Sequence, residues 1–267
     1  MSVLSDDILA SPDIDIMSIQ FVVRSDESIR LVQSLGSVLH GVIMECIDPS
    51  YAQELHSYSI RPYSQFIFFD HRTKQYIWRI SAVTKDAVQN LVKVMYQVSD
   101  KLFLKQKQGY LHIIRREIVE ATTYKALMDR FFSSDIEYTG VQFTFTSPTS
   151  FKVDGQYTIY PEAFRLYRYW LKRWNTFSSG EKMESDDLSQ AIEQSLIVHH
   201  YSLHLQRFSL EQVWIPGFKG AFTIQFKGRL IVRQVLSLLS YYGQFTGVGI
   251  KTALGMGGIA NKLEGSD

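Results

Sequence analysis

The chain has one cysteine, Cys46, among its 267 residues. That excludes an internal disulfide and any multi-cysteine zinc site, and makes a reducing, cytoplasmic setting the expectation. No segment approaches the ~20 unbroken apolar residues of a membrane span. The opening stretch, MSVLSDDILASPDID, is acidic and lacks the basic-then-apolar order of a secretory signal. No Pro/Gly/Ser-rich linker divides the chain. Neither sign of charge dominates: 28 basic and 27 acidic side chains leave a net +1, which excludes a surface coated in positive charge.

What is present is ordinary for a globular protein: 45% hydrophobic and 21% charged residues. The length suits one large domain or two of about 130 residues. Charge is uneven, however. Residues 207–251 hold six basic side chains and one acidic, and residues 101–130 hold seven basic and three acidic. Two such patches fit a polyanion partner or solvated faces, and charge alone does not choose between them.

The pattern along the chain repeats coarsely. IDIMSIQFVVR (14–24) alternates like a strand, residues 28–47 and 49–58 read as helices, FIFFD (66–70) and QYIWRISAV (75–83) as a hairpin, and 84–100 as a helix capped by Thr84. Strand-like runs at 101–107 and 109–120 follow. The second half begins again with a strand at 136–151, then helices at 161–177 and 185–198, β-rich runs at 199–210 and 221–228, and a helix at 230–245. Each half reads strand, helix, strands, helix, strand. That order predicts an α+β fold of two tandem ferredoxin-like domains, 1–133 and 134–267, with antiparallel sheets and helices on one face.

The chain ends in GQFTGVGIKTALGMGGIAN (243–261), with six glycines around Lys251 and Thr252. Consecutive N–H groups in such a loop form a concave anion site, which suits a phosphate backbone. Two familiar nucleotide motifs fail: Lys251 does not follow a glycine, as a P-loop needs, and Thr252 stands where a dinucleotide fingerprint needs its third glycine. No cofactor is expected. Gly247, Gly249, Lys251, Thr252, Gly255, Gly257 and Gly258, with Arg229, Arg233 and Lys219 from the same basic segment, are the candidate contacts to such a backbone.

GVGIKTALGMGGI resembles the C-terminal glycine-rich loop of the CRISPR-associated precursor-RNA endoribonucleases, a family of tandem ferredoxin-like proteins. VQFTFTSPTSF (141–151), VWIPGFKGAFTIQF (213–226) and LHGVIMECIDPSYAQELHSYSIRPYSQF (39–66) resemble other segments of that family in the same order. The resemblance implies cutting of CRISPR repeat RNA without metal, by attack of a ribose 2′-hydroxyl, leaving a 2′,3′-cyclic phosphate and a 5′-hydroxyl. It implies a catalytic histidine at the end of the second helix, here His56, and a nearby cation, here Arg61. It also implies precursor CRISPR RNA as partner, with effector-complex subunits or a second copy of the chain as further ones. One departure stands out: the tyrosine that some members carry on the first helix aligns with Met44, which transfers no proton. His40 lies four residues earlier on the same helical face and is expected to pair with His56 as acid and base. The same departure keeps open a non-catalytic RNA-binding subunit of an effector complex.

The other histidines fit less specific roles. His200 and His204 have the spacing of metal ligands, but HHYSLHLQRF alternates like a strand and no metal site is expected. His71 falls in a turn and His112 in a strand beside Arg115 and Arg116. RLYRYWLKRW (165–174) interleaves arginines with aromatics, which suits base stacking and phosphate contact or an amphipathic helix with its arginines in water.

Overall fold

The computed structural model describes residues 3–133, 135–210 and 213–265. The fold forms two compact units. One comprises Met1–Thr123 together with Lys251–Met256, and the other Tyr124–Ile250 together with Gly257–Asp267. The helix Tyr124–Phe132 therefore counts with the second unit, where it packs on the last helix.

In chain order, the first unit holds α1 (Val3–Ala10), β1 (Ile16–Ser25), α2 (Gly36–Cys46), α3 (Pro49–Ser57), β2 (Tyr63–Asp70), β3 (Gln75–Ala82), α4 (Lys85–Ala87), α5 (Lys93–Tyr96), β4 (Lys101–Leu104) and β5 (Gly109–Thr122). The helix expected at 84–100 is broken by a π turn at Val88–Val92. The helix expected from residue 28 begins only with a 3-10 turn at Gln33–Leu35. The sheet runs β2-β3-β1-β5-β4, and every pairing in it is antiparallel. The central strand β1 is buried at seven of its ten positions, so it reads as a nearly continuous apolar run rather than an alternating one. Phe21, Trp78, Ile80, Leu39, Ile43, Leu91 and Met95 fill the core, each contributing about 1.5–3 kcal/mol by leaving water.

The second unit repeats the plan with α6 (Tyr124–Phe132), β6 (Tyr138–Thr149), β7 (Phe151–Val153), β8 (Gln156–Thr158), α7 (Ala163–Phe177), α8 (Asp186–Gln194), β9 (Leu196–Leu210), β10 (Val213–Phe226), α9 (Leu230–Thr246) and β11 (Ile259–Gly265). Its sheet runs β11-β6-β10-β9, again all antiparallel. Strand for strand this matches β5-β1-β3-β2, the ferredoxin-like order, so the fold is the expected pair of tandem ferredoxin-like units. The sequence pattern did not anticipate β11, which closes the second sheet along β6. α7 and α9 cover one face, with Trp170, Trp174, Tyr167, Leu239 and Tyr242 fully buried. The polar tips of these rings are satisfied inside: Tyr167 shares a hydrogen bond with the Ser240 hydroxyl (2.7 Å), and the Trp170 indole donates to the Gly247 carbonyl (3.0 Å). Among the described residues no helix is long and apolar enough to cross a membrane.

Candidate active site

The first unit gathers the titratable residues that the sequence singles out. α3 is fixed at its start by Asp48, whose carboxylate accepts from the backbone N–H of Ser50 (2.8 Å) and Tyr51 (3.3 Å), with Pro49 in the first turn. Leu55 anchors the last turn in the core, which leaves the preceding and following positions in solvent and sets His56 exposed at the helix end. α2 buries Val38, Leu39, Val42 and Ile43, and His40 stands half-buried at the edge of that apolar face.

The His40 and His56 rings lie 6.3 Å apart, centre to centre, edge to face. A third group joins them that the sequence pattern did not single out. Tyr63, the first residue of β2, is fully buried, and its hydroxyl is 2.9 Å from His40 Nδ1. A tyrosine on the core side of a strand needs a partner for its oxygen, which is the one signal the sequence offered. That His40 is the partner follows only from how β2 lies against α2. Burial keeps the Tyr63 phenol protonated far above the ordinary tyrosine range, although Arg61 pulls the other way.

His40 is held down to about 4 by burial first, then by the positive charge of Arg61 and by His56. Its imidazole is therefore neutral near neutral pH. When Nδ1 donates to Tyr63, Nε2 is left as a free acceptor; when Nδ1 accepts, Nε2 carries the proton. The arrangement can thus present an acceptor on a half-buried ring beside an exposed second imidazole and a guanidinium. Met44 packs its side chain against the core and adds nothing polar to this cluster.

Gln65, two residues along β2 from Tyr63, ties its surroundings together. Its amide donates to the carbonyls of Gly36 (2.7 Å) and Ala253 (3.0 Å) and accepts from the Trp78 indole (3.0 Å). The C-terminal turn Thr252–Leu254 is thereby held against the start of α2. Gly36 and Gly255 meet backbone to backbone: a Cβ on Gly36 would lie 2.6 Å from the Gly255 Cα.

The glycine-rich segment is corrected by the structure in one respect. Its N–H groups are not an open row. Val248 donates to the Gly257 carbonyl, Ile250 to Ser150, Leu254 and Met256 to Lys251, Gly257 to Pro148, and Gly258 to the Ser147 hydroxyl. Backbone donors without water must find partners, and here the protein supplies most of them. Gly247, Thr252, Gly255, Gly257 and Gly258 are buried, Gly249 is half-buried, and Lys251 is exposed. Of the other candidate RNA contacts, Arg229 is exposed at the start of α9 and Lys219 is half-buried on β10. Arg233 is bound to Glu137 at 2.7 Å. His112 is likewise bound to Asp26 (2.9 Å), His71 is exposed in its turn, and His199, His200 and His204 are exposed on β9. No cluster of three metal-ligating side chains occurs among the described residues.

The sequence model of the family described as CRISPR-associated endoribonuclease Cas6 matches residues 143–259. A curated Cas6 endoribonuclease from Streptococcus thermophilus is 28% identical over 233 residues, covering 87% of this chain and 92% of its own. The chain is similar to the Cas6 family along most of its length. A Cas6 endoribonuclease of Mycobacterium tuberculosis (strain CDC 1551 / Oshkosh) is 27% identical over 228 residues, 85% of this chain and 72% of its own. In fold, a Cas6 of Thermus thermophilus solved as a product complex matches with a TM-score of 0.75 at 18% identity, covering 92% of this chain and 99% of that one. The S. thermophilus and M. tuberculosis Cas6 matches extend beyond residues 143–259, and the T. thermophilus likeness spans most of both chains.

Proposed function

We propose that this chain is a member of the Cas6 family, an endoribonuclease that cuts CRISPR precursor RNA at its repeats to give mature guide RNA. The observation that carries the reading is the pair of imidazoles 6.3 Å apart beside Arg61. At that separation both imidazoles can reach atoms of one phosphodiester lying across them, each by a hydrogen bond of roughly 2.6–3.2 Å.

The chemistry needs no metal. His40 Nε2 takes the proton of the 2′-hydroxyl next to the scissile phosphate. The 2′ oxygen bonds to phosphorus, the bond from phosphorus to the 5′ oxygen breaks, and His56 protonates that leaving oxygen. The products are a 2′,3′-cyclic phosphate and a 5′-hydroxyl. Arg61 offsets the extra negative charge of the phosphorane-like transition state. Burial and Arg61 weaken His40 as a base in the free protein, but a bound phosphate anion favours its protonated form, so its basicity rises as substrate arrives. Tyr63 positions the ring, and by accepting from Nδ1–H it leaves Nε2 free to take the proton. On the RNA-binding side, Lys251, Arg229 and the half-buried edge at Gly249 are the surface of the C-terminal segment open to a phosphate backbone.

The test is incubation with precursor RNA of the protein's own repeat in EDTA, beside His56→Ala. Cutting at one site in EDTA, reduced about 10²–10⁴-fold by the substitution, with 5′ ends that a kinase labels directly, is the expected result. Tight binding with no cutting by the wild type overturns it in favour of a non-catalytic RNA-binding subunit.

A further inference from the structure

The interleaved helix RLYRYWLKRW divides in α7 into two faces, with Arg173 alone among its cations buried on the core side. Leu166, Tyr167, Trp170 and Trp174 go into the core, whereas Arg165, Arg168, Tyr169 and Lys172 line a cavity of about 500 Å³ on the other side. Phe151 and Lys152 of β7, with the backbone at Gly249 and Ile250, form further walls, all within the second unit. The volume lies in the range of pockets that take one small ligand.

The lining has the chemistry of a nucleotide site. It holds four basic side chains and one carboxylate, Glu162. That carboxylate is already engaged: Arg165 donates to both of its oxygens at 2.9 Å. Among the described residues Lys152, Arg168 and Lys172 have no acidic partner within ion-pair distance. The Arg165 Nε is buried and bonds to nothing in the protein, and a buried donor without an acceptor is a cost that a bound acceptor removes. Aromatic faces alternate with these cations: Arg165 lies over Phe151 (5.9 Å) and Arg168 over Phe164 (5.6 Å). At Gly249, with φ +86°, a Cβ would meet the Ser150 carbonyl oxygen at 2.3 Å, so the wall there is bare backbone by necessity.

We propose that this cavity is a binding site for one unpaired ribonucleotide of the repeat RNA, separate from the histidine cluster. The base stacks on Tyr169 and Phe164, and Arg168, Lys172 and Lys152 hold its phosphate. Single-stranded RNA is held in this way, by rings that accept any base face and by cations that follow the backbone. A paired base does not enter such a cavity, so the nucleotide lies outside any stem. The inference rests on RNA being the substrate.

The experiment measures binding of the full chain to its repeat RNA, made uncleavable by a deoxyribose at the mapped scissile position. Arg168→Ala/Lys172→Ala is expected to weaken binding at least about fivefold at moderate salt and to flatten the slope of log affinity against log salt by about 1.4, since each phosphate contact on a single strand contributes about 0.7. Arg72→Ala/Lys107→Ala removes the same charges from exposed turns of the first unit and is expected to bind as the wild type does. Tyr169→Ala weakens binding at least about fivefold and Tyr169→Phe restores it, because a ring and not a hydroxyl is required. Melting curves confirm that each variant folds. Identical affinity and slope for Arg168→Ala/Lys172→Ala and the wild type overturn the proposal, as does equal loss in the two double variants. Displacement of the RNA by poly-glutamate as readily as by oligouridylate overturns it too, in favour of an acidic peptide. Cleavage by the wild type is scored separately. A chain that binds through the cavity without cutting sustains this inference and fails the nuclease reading, and one that cuts with unaltered binding in the variants does the reverse.

Discussion

The two units share one strand order and differ in what the same topological position carries. Between the first and second strands of the ferredoxin-like order, the first unit has α2 and α3, and the second has α7 and α8. α2 and α3 hold a half-buried imidazole and an exposed one in ring contact, and the buried phenol at the start of β2 is within hydrogen-bonding distance of the first. α7 holds an arginine-and-aromatic face over a cavity. One site depends on tuning protonation by burial, the other on fixed charge that needs no tuning. Duplicating a fold lets these two demands be met apart, because a cavity rich in permanent cations would push nearby imidazoles further toward neutrality.

The largest effects should separate chemistry from grip. His40→Ala should lower single-turnover cutting by about 10²–10⁴-fold while leaving affinity for uncleavable repeat RNA within about threefold. Tyr63→Phe should fall between, about 10-fold in rate, because it removes the oxygen at 2.9 Å that orients the ring and keeps the ring itself. If His40→Ala loses affinity and rate in equal measure, the imidazole is a binding group and the contrast between the units collapses.

Next in size is the packing that positions α2. Gly36→Ala forces a Cβ against the backbone of Leu254 and Gly255 at 2.6–2.7 Å and is expected to cost about 1–3 kcal/mol in urea unfolding. At Gly41, five positions further along the same helix, an added Cβ would meet nothing within 4 Å. Gly41→Ala should therefore stabilise by about 0.5–1 kcal/mol through helix propensity and unfolded-state entropy. Equal effects at the two positions would show that the C-terminal turn is not bearing on α2.

Much of this was legible in the sequence, and the exceptions are instructive. The repeated strand–helix order follows from period, the inward rings of α7 are one of the two readings its amphipathic pattern allows, and the two candidate histidines come from the family resemblance. Tyr63 was not legible, because its partner is 23 residues away and strand alternation says only that the side chain points inward. The glycine-rich segment reads from composition as an open anion loop. Its N–H groups are instead spent on Pro148, Ser150 and Ser147, long-range partners that no local pattern announces. β11 escapes notice because IANKLEG alternates weakly and becomes a strand through pairing with β6.

Acidification probes the burial of His40. His40 takes its proton near pH 6.5 when unfolded and only near pH 4 when folded. Between those values the unfolded chain binds more protons, so the stability this residue contributes is present above pH 6.5 and is lost as pH falls toward 4. Moving from pH 7 to pH 5 should cost the wild type about 2 kcal/mol more than His40→Asn. Urea unfolding at the two pH values measures it, and parallel losses in both proteins would show that burial does not hold His40 neutral.

The smallest effect concerns the second unit's fixed charge. Arg229 and Arg233 stand four residues apart at the start of α9, yet Arg233 is bound to Glu137 and only 23% of its side chain is exposed. An arginine already neutralised by a carboxylate releases few counterions on meeting a phosphate. Arg229→Ala should flatten the salt slope of repeat-RNA binding by about 0.7, and Arg233→Ala by much less. Removing that ion pair should also cost at most about 1 kcal/mol of stability, because both groups remain partly in water. Equal slopes for the two variants would mean that RNA displaces Glu137 from Arg233, and the pair would then act as a reserve of positive charge rather than a structural clasp.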